Sequence, residues 1–314
     1  MKRALVKDSV KQIKNTLKRF ISILMMAFLG VGFFAGIKAT SPDMIDTIDR
    51  YYKEQNIYDL EIVSTLGLTN DDLNEIAKID GIDQVEGTYE KDAIIENDNE
   101  EIVVKLLCAN NINVPIVLEG NLPINEDECV VEDSFLKTKN KKIGDYIDLK
   151  VEDSTNDNGD KVNYLKQNKL KIVGTVKSPL YISRNRGTSN LGSGSVDYFM
   201  YISDKNINAN DIYTRIYAKV KNANEYTTST DEYENYIDNI TDNVEKIKDQ
   251  REQARYNQLI TSATNKLNDA EQTFNEEKQN GQTKIDDAEK ELNDGKKKIE
   301  SAEAKISKNE KEAE

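Results

Sequence analysis

Between Arg19 and Lys38 the chain carries no charged residue. The stretch runs from Phe20 to Ile37. As a helix rising ~1.5 Å per residue it is ~27 Å long, close to the ~30 Å hydrocarbon core of a bilayer. Before it stand Lys2, Arg3, Lys7, Lys11, Lys14, Lys18 and Arg19, opposed only by Asp8. After it come Lys38 and then Asp43, Asp46 and Asp49. Basic flanks are retained on the cytoplasmic side. The pattern therefore predicts a cytoplasmic segment 1–19, a transmembrane helix 20–37 in the plasma membrane, and an extracytoplasmic remainder. The rival reading is a cleaved signal peptide. Its apolar region is shorter and ends in a small-x-small site, whereas Ile37-Lys38-Ala39 puts a bulky residue and a Lys there.

Residues 1–19 read as an amphipathic basic helix. Val6, Val10, Ile13 and Leu17 share one face, and Lys7, Lys11, Lys14 and Lys18 repeat the spacing one residue on. Such a helix suits the inner membrane interface; a plain orientation signal has the same charge. Gly32 and Gly36 form a small-xxx-small pair that lets another membrane helix approach closely, although glycine is common in membrane helices.

The net charge is −14, and there is no His and no Trp. An acidic exterior argues against nucleic acid, whose phosphates need basic patches. Without His the chain lacks the commonest general base near neutral pH and the commonest zinc ligand. Cys108 and Cys129 are two isolated cysteines. They can pair in an oxidising compartment, but such cysteines are more often free and buried.

Residues 41–240 read as a mixed α/β domain of two subdomains, one α/β and one mostly β. Strands are predicted at Tyr58–Val63, Ile82–Ile95 and Glu101–Ala109, with a helix capped by Thr69 and ended near Gly81, and a turn at Asn97-Asp98-Asn99. Further strands are expected at 129–131, 143–151, 170–176, 198–202 and 212–220, with the polar tract Asp153–Asp160 as a hairpin tip. From about Asp231 the chain turns helical, and 241–314 reads as a coiled coil. Ile260, Leu267, Phe274, Ile285, Leu292, Ile299 and Ile306 form one seam. Ala263, Ala270, Gly281, Ala288, Gly295 and Ala302 form its small counterpart. The steps are sevens with one eleven, a heptad seam with a single four-residue stutter. Either another copy supplies the partner helix, or a returning helix does.

Chemistry-bearing motifs do not emerge. The glycine-rich run Gly187–Gly194 lacks the Lys of a phosphate-binding loop and reads as a flexible exterior loop. Aligning Gly159 with the sixth position of a calcium loop puts Ser154 first and Leu165 twelfth, where acidic ligands are needed. Asn239-Ile240-Thr241 is a glycosylation sequon in form only. No catalytic, cofactor-binding or metal-binding residue is assigned, and the chain is not expected to be an enzyme.

The runs RFISILMMAFLGVGFFAGIKATSPDM (Arg19 to Met44), DRYY (Asp49 to Tyr52) and YDLEIVSTLGLT (Tyr58 to Thr69) resemble the start of large FtsX-like permeases of Gram-positive bacteria. IVGTVKSPLYISRNRGTSNLGSGSVDYFMYIS (Ile172 to Ser203) is similar to the second part of their MacB-like extracytoplasmic core domain. The coiled coil resembles the helical insertion many of them carry. The resemblance implies an α+β, membrane-anchored subunit of an ABC transporter that couples a separate cytoplasmic ATPase to an extracytoplasmic domain, for export or mechanotransmission. It implies as partners that ATPase, further transmembrane helices or a second permease copy, and an exterior protein or peptide. With one spanning segment here, the chain is expected to be the amino-terminal part of a longer permease. The alternative is a single-pass, membrane-anchored coiled-coil adaptor that docks or regulates a cell-wall enzyme.

Overall fold

The computed structural model describes residues 2–97, 100–157, 159–183, 185–208 and 212–313. They divide into two compact units, 1–154 with 163–249, and 155–162 with 250–314.

The first unit opens with two helices, α1 (Lys2–Asn15) and α2 (Leu17–Glu54). The single helix predicted over 1–19 is corrected: it breaks at Thr16, whose backbone sits at φ −119°, ψ 30°. The Thr16 hydroxyl donates back to the Gln12 carbonyl at 2.9 Å, a local bond that competes with the helical ladder and bends helices. α2 contains the apolar stretch and is long and apolar enough to cross a membrane, with a mean hydropathy of 2.3 in its best window. It does not stop at the apolar boundary. It continues through Pro42, past residue 41, to Glu54, ~57 Å in all.

A three-stranded antiparallel sheet follows, ordered β1 (Leu60–Leu68), β12 (Tyr213–Val220), β2 (Ile82–Thr88). Helix α3 (Asn70–Ala77) packs on it through Leu73 and Ile76. Thr69 caps α3 as expected: the Asp72 carboxylate accepts from the Thr69 backbone N–H at 2.7 Å and from its hydroxyl at 2.8 Å. The first turns of α5 (Asp231–Ala313) add Tyr233, Tyr236, Ile237 and Ile240 to the apolar cluster around Ile82, Ala218 and Val220.

The second sheet has seven strands, in the order β5 (Ile116–Gly120), β10 (Lys169–Lys177), β6 (Glu128–Glu132), β11 (Tyr198–Ile202), β4 (Glu100–Cys108), β3 (Glu90–Asn97), β7 (Tyr146–Lys150). β7 also pairs with β10, Leu170 opposite Ile147. The sheet thus curls back on itself and six strands close a ring, which removes the exposed edges an open sheet leaves. Alternation sorts the side chains. Ile102, Val104, Leu106 and Cys108 of β4 join Cys129, Val131, Leu170, Ile172, Met200 and Ile202 in one buried cluster. Leu107, Val130, Val176, Phe199 and Tyr201 form a second cluster on the other face. β5 crosses β10 where both strands have glycine: a Cβ on Gly120 or Gly174 would collide with the backbone opposite, at Val173 or Glu119. Helix α4 (Asp133–Lys139) and strand β5 are elements the residue pattern did not announce.

The strand predicted over Ile82–Ile95 is likewise corrected. It is two strands, broken at Tyr89, that serve different sheets: Thr88 faces Arg215 of β12, and Glu90 faces Leu107 of β4. The break is a change of partner, fixed when the Thr214 hydroxyl accepts the Glu90 N–H at 2.7 Å. In the predicted turn 97–99, Asp98 and Asn99 lie outside the described residues. The glycine-rich run is not a free loop: Ser189 donates to the Gly194 carbonyl at 3.2 Å, and Gly192 lies so close to Val103 that a Cβ would come within 2.7 Å of its Cγ2.

In the second unit the hairpin predicted in the polar tract is present as β8 (Ser154–Thr155) and β9 (Lys161–Val162). Its tip is fastened to α5, because Arg255 forks onto Asp157 with bonds of 2.7 and 2.6 Å and Lys266 bonds Asp160. Arg255 is buried while Asp157 stays partly exposed, so this is a bidentate, charge-assisted pair at the edge of solvent.

Cys108 and Cys129 are free and buried. Both oppose Ile202, one from each neighbouring strand, so their Cα atoms are ~9.5 Å apart, beyond the ~7 Å reach of a disulfide. Burial pushes each thiol up to about 12. The native protein is expected to leave both thiols unlabelled by iodoacetamide at neutral pH. Denaturation without reductant should release two labelled thiols per chain, counted by mass spectrometry.

Candidate functional site

α2 ends on the sheets without a flexible linker. Its C-cap is Gln55, and Asn56 follows at φ 48°, the left-handed position that terminates helices and that Asn tolerates. The Ile57 N–H then returns to the Tyr52 carbonyl at 3.0 Å. The segment after β4 grips this terminus. The N–H groups of Asn113 and Val114 donate to the Asn56 and Gln55 carbonyls at 3.0 and 2.9 Å. The Asn56 side chain donates to the Asn111 carbonyl at 2.8 Å, and Asn113 Oδ1 accepts the Tyr58 N–H at 3.0 Å.

A second tie lies nearly two turns back. Asp49 Oδ1 accepts the Thr228 N–H at 2.8 Å and the Thr228 hydroxyl at 3.1 Å, while Lys53 holds the other oxygen at 2.7 Å. Thr228 lies three residues before α5, so Asp49 links α2 to the segment that leads into α5. Burial acts against the Asp49 anion, but the hydrogen bonds from Lys53 and Thr228 prevail and hold its carboxyl below the ordinary value of 3.8.

The third tie is buried. Asp59 and Lys219 pair at 2.9 Å with side chains 4% and 8% exposed. Further hydrogen bonds brace both members of the pair. Asp59 accepts from the Val220 N–H and the Tyr233 hydroxyl, both at 2.8 Å, and Lys219 donates to the Ile57 carbonyl at 2.7 Å. One ion pair therefore joins the chain leaving α2, strand β12 and the start of α5. Between the two sheets, Glu90 accepts from Arg215 Nε and from the Tyr217 hydroxyl, each at 2.8 Å. Burial raises the Glu90 carboxyl above its usual range.

Beside the junction lies a cleft of ≈ 500 Å³. Thr47, Ile48 and Tyr51 of α2 form one wall, and Val176, Tyr181, Ile182 and Phe199 form the other. Tyr181 stacks on Phe199 at 5.2 Å, and the Arg186 guanidinium lies 5.6 and 5.5 Å from those rings. Glu132 neutralises Arg186 through bonds of 2.7 and 3.2 Å. The lining is thus largely apolar, with the half-buried Arg186 and Glu132 paired and Asp133 and Lys177 also present, and suits an amphipathic segment. Among the described residues no three His, Cys, Asp or Glu side chains gather as a metal set. Gly32 and Gly36 face open space, and Asn239 of the sequon lies in α5 with its amide on the Asn235 carbonyl.

Asp59, Lys219 and Arg186 do not stand out in the sequence, and Asp49 does so only as one of the acidic residues after the apolar stretch. Their signal is thin: Asp49 opens the DRYY run and Asp59 stands in YDLEIV, but only the fold brings residues so far apart in the chain together.

The solved structures similar to the chain include two extracytoplasmic domains. One is the extracellular domain of the noncanonic ABC-type transporter YknZ from Gram-positive bacteria, 12% identical, covering 56% of this chain and 85% of that one, with a TM-score of 0.31. The other is the periplasmic region of MacB from Actinobacillus actinomycetemcomitans, 12% identical, covering 59% of this chain and 74% of that one, with a TM-score of 0.34. No family model and no curated protein matches the chain.

Removing Asp49 leaves the Thr228 N–H without its charged acceptor. Asp49→Ala is expected to destabilise the junction by about 1–3 kcal/mol, read as faster hydrogen exchange at Thr228. The pH dependence follows the sign of the shift. A lowered folded pKa gives stability that is full above about 3.8 and is lost as pH falls through the folded value, so protection of the wild-type Thr228 amide, relative to its intrinsic exchange rate, should fall only below about pH 4. Lys219→Met strands the buried Asp59 anion and should cost about 3–5 kcal/mol in denaturant unfolding.

Proposed function

We propose that the chain is a membrane subunit of an ABC transporter of the FtsX and MacB type. In this reading α1 lies along the cytoplasmic face of the plasma membrane beside a separate ATPase, residues 20–37 cross the bilayer, and the two sheets stand outside as two subdomains. The unbroken α2 carries the reading. A mere anchor needs no order beyond the lipid, and a flexible tether would serve it. Here the helix that contains the apolar stretch runs on to Glu54 and is fixed to the sheets by Asp49, Asn56 and the Asp59–Lys219 pair. A displacement of the helix is thereby transmitted to the exterior sheets. That is what a device coupling cytoplasmic ATP hydrolysis to exterior movement requires.

The sequence runs from Arg19 to Thr69 and from Ile172 to Ser203, which resemble FtsX-like permeases, support the same reading. The apolar cleft beside α2 supplies a surface whose shape changes if the helix shifts, and there an apolar part of a substrate or exterior partner would be engaged.

The test is purification from the native host in mild detergent, with a tag at the natural locus. The expected result is an ABC-type ATPase, identified by mass spectrometry, that copurifies in stoichiometric amount and whose ATP hydrolysis changes on association. Recovery of the intact protein with a wall enzyme and no ATPase would replace this reading with the anchored adaptor.

A further inference from the structure

The seam of α5 is bare in this structure. Ile260, Leu267, Phe274, Ile285, Leu292, Ile299 and Ile306 are each between 49% and 64% exposed. A Cβ added at Gly281 or Gly295 would meet nothing within 4 Å. A helix face with so many large apolar side chains in one stripe is a contact surface without its contact. The pattern of the stripe says what fits it. Large and small residues alternate along it, and a two-helix seam is most even when each layer holds one large and one small side chain.

We propose that this seam pairs antiparallel with the same seam of a second copy of the chain, about a two-fold axis between residues 277 and 278. In that register Ile260 faces the partner's Gly295, Ala263 the partner's Leu292, and Leu267 the partner's Ala288. Ala270 faces the partner's Ile285, and Phe274 the partner's Gly281. The two-fold repeats the same pairs beyond the centre, so every apolar layer from 260 to 295 holds one large and one small residue. A parallel pair in register would set Phe274 on Phe274 and glycine on glycine, and the separation of the helices would have to swing from layer to layer.

Charge points to the same register. The four-residue stutter between Phe274 and Ile285 rotates Glu277 and Lys278 into the seam. At the axis each Glu277 meets the partner's Lys278, so the polar residues in the middle of the seam neutralise one another. A charged pair at a core position fixes register at some cost in stability. Away from the centre, the run Lys296–Lys298 of the partner subunit lies alongside residues 257–259, near the α5 residues that hold the acidic hairpin tip with Asp157 and Asp160. The inference stands independently of the permease reading, because it uses only the α5 seam.

The test uses the full chain in lipid nanodiscs and in detergent, in two forms carrying different tags. One bears Ala263→Cys and the other Leu292→Cys; the native thiols are buried and do not interfere. Mild oxidation of the mixture should give the mixed disulfide and no Ala263→Cys homodisulfide. A homodisulfide at 263 would overturn the antiparallel register. Absence of any disulfide, with both new thiols alkylated freely or shielded by another chain, would overturn self-pairing. Two charge variants guard against disulfide trapping. Glu277→Lys should raise the dissociation constant of the pair about fivefold. Adding Lys278→Glu to the same chain should restore it. A double variant as weak as the single one would also overturn the proposal.

Discussion

Asp59 is an anion with almost no access to water, and the first unit depends on how it is satisfied. A carboxylate taken out of solvent is costly unless a cation and hydrogen-bond donors meet it. Lys219, the Val220 amide and the Tyr233 hydroxyl do so from two different elements. None of these partners is near Asp59 in the chain. The anion is satisfied only when the end of α2, the last strand of the small sheet and the first turn of α5 are all in place. A buried pair of this kind adds little net stability compared with apolar residues. Its effect is specificity: any arrangement that separates these elements leaves a charge stranded.

The closed sheet provides the mass against which that junction is held. Its ring of strands buries one face completely and turns the other, with Phe199 and Tyr201, toward the cleft and the small sheet. Glu90, Arg215 and Tyr217 then connect the sheets through charge-assisted bonds. A helix fixed at Asp49 and Asn56 is thus tied to both sheets in one compact unit, which is the mechanical content of the functional reading.

Much of this order was legible in the residues. The apolar run, the Thr69 cap, the short strand Tyr198–Ile202 and the start of the long helix at Asp231 each carry a local signal, namely hydropathy, capping chemistry, β-branched and aromatic content, or periodicity. What was hidden is what depends on partners. Ile82–Ile95 has one uninterrupted strand-like pattern, because a strand that changes sheet at Tyr89 needs no breaking residue. α4 is short and β5 has little apolar content on one face, so neither rises above its surroundings. The junction itself was invisible for the same reason: Asp49 meets Thr228, and Asp59 meets Lys219, only through the fold. The continuation of α2 through Pro42 was masked by a residue that ordinarily stops helices.

The central claim is that α2 and the sheets move as one piece. It is tested most directly by a distance distribution from pulsed electron–electron resonance. Spin labels at Met44→Cys on α2 and Leu118→Cys on β5, both exposed positions, report across the junction in the full chain in lipid nanodiscs, with the native cysteines too buried to label. A single narrow distribution is the predicted result. A broad distribution, or two well-separated populations in the absence of any ligand or nucleotide, would show that the helix is loosely tethered and would contradict the account.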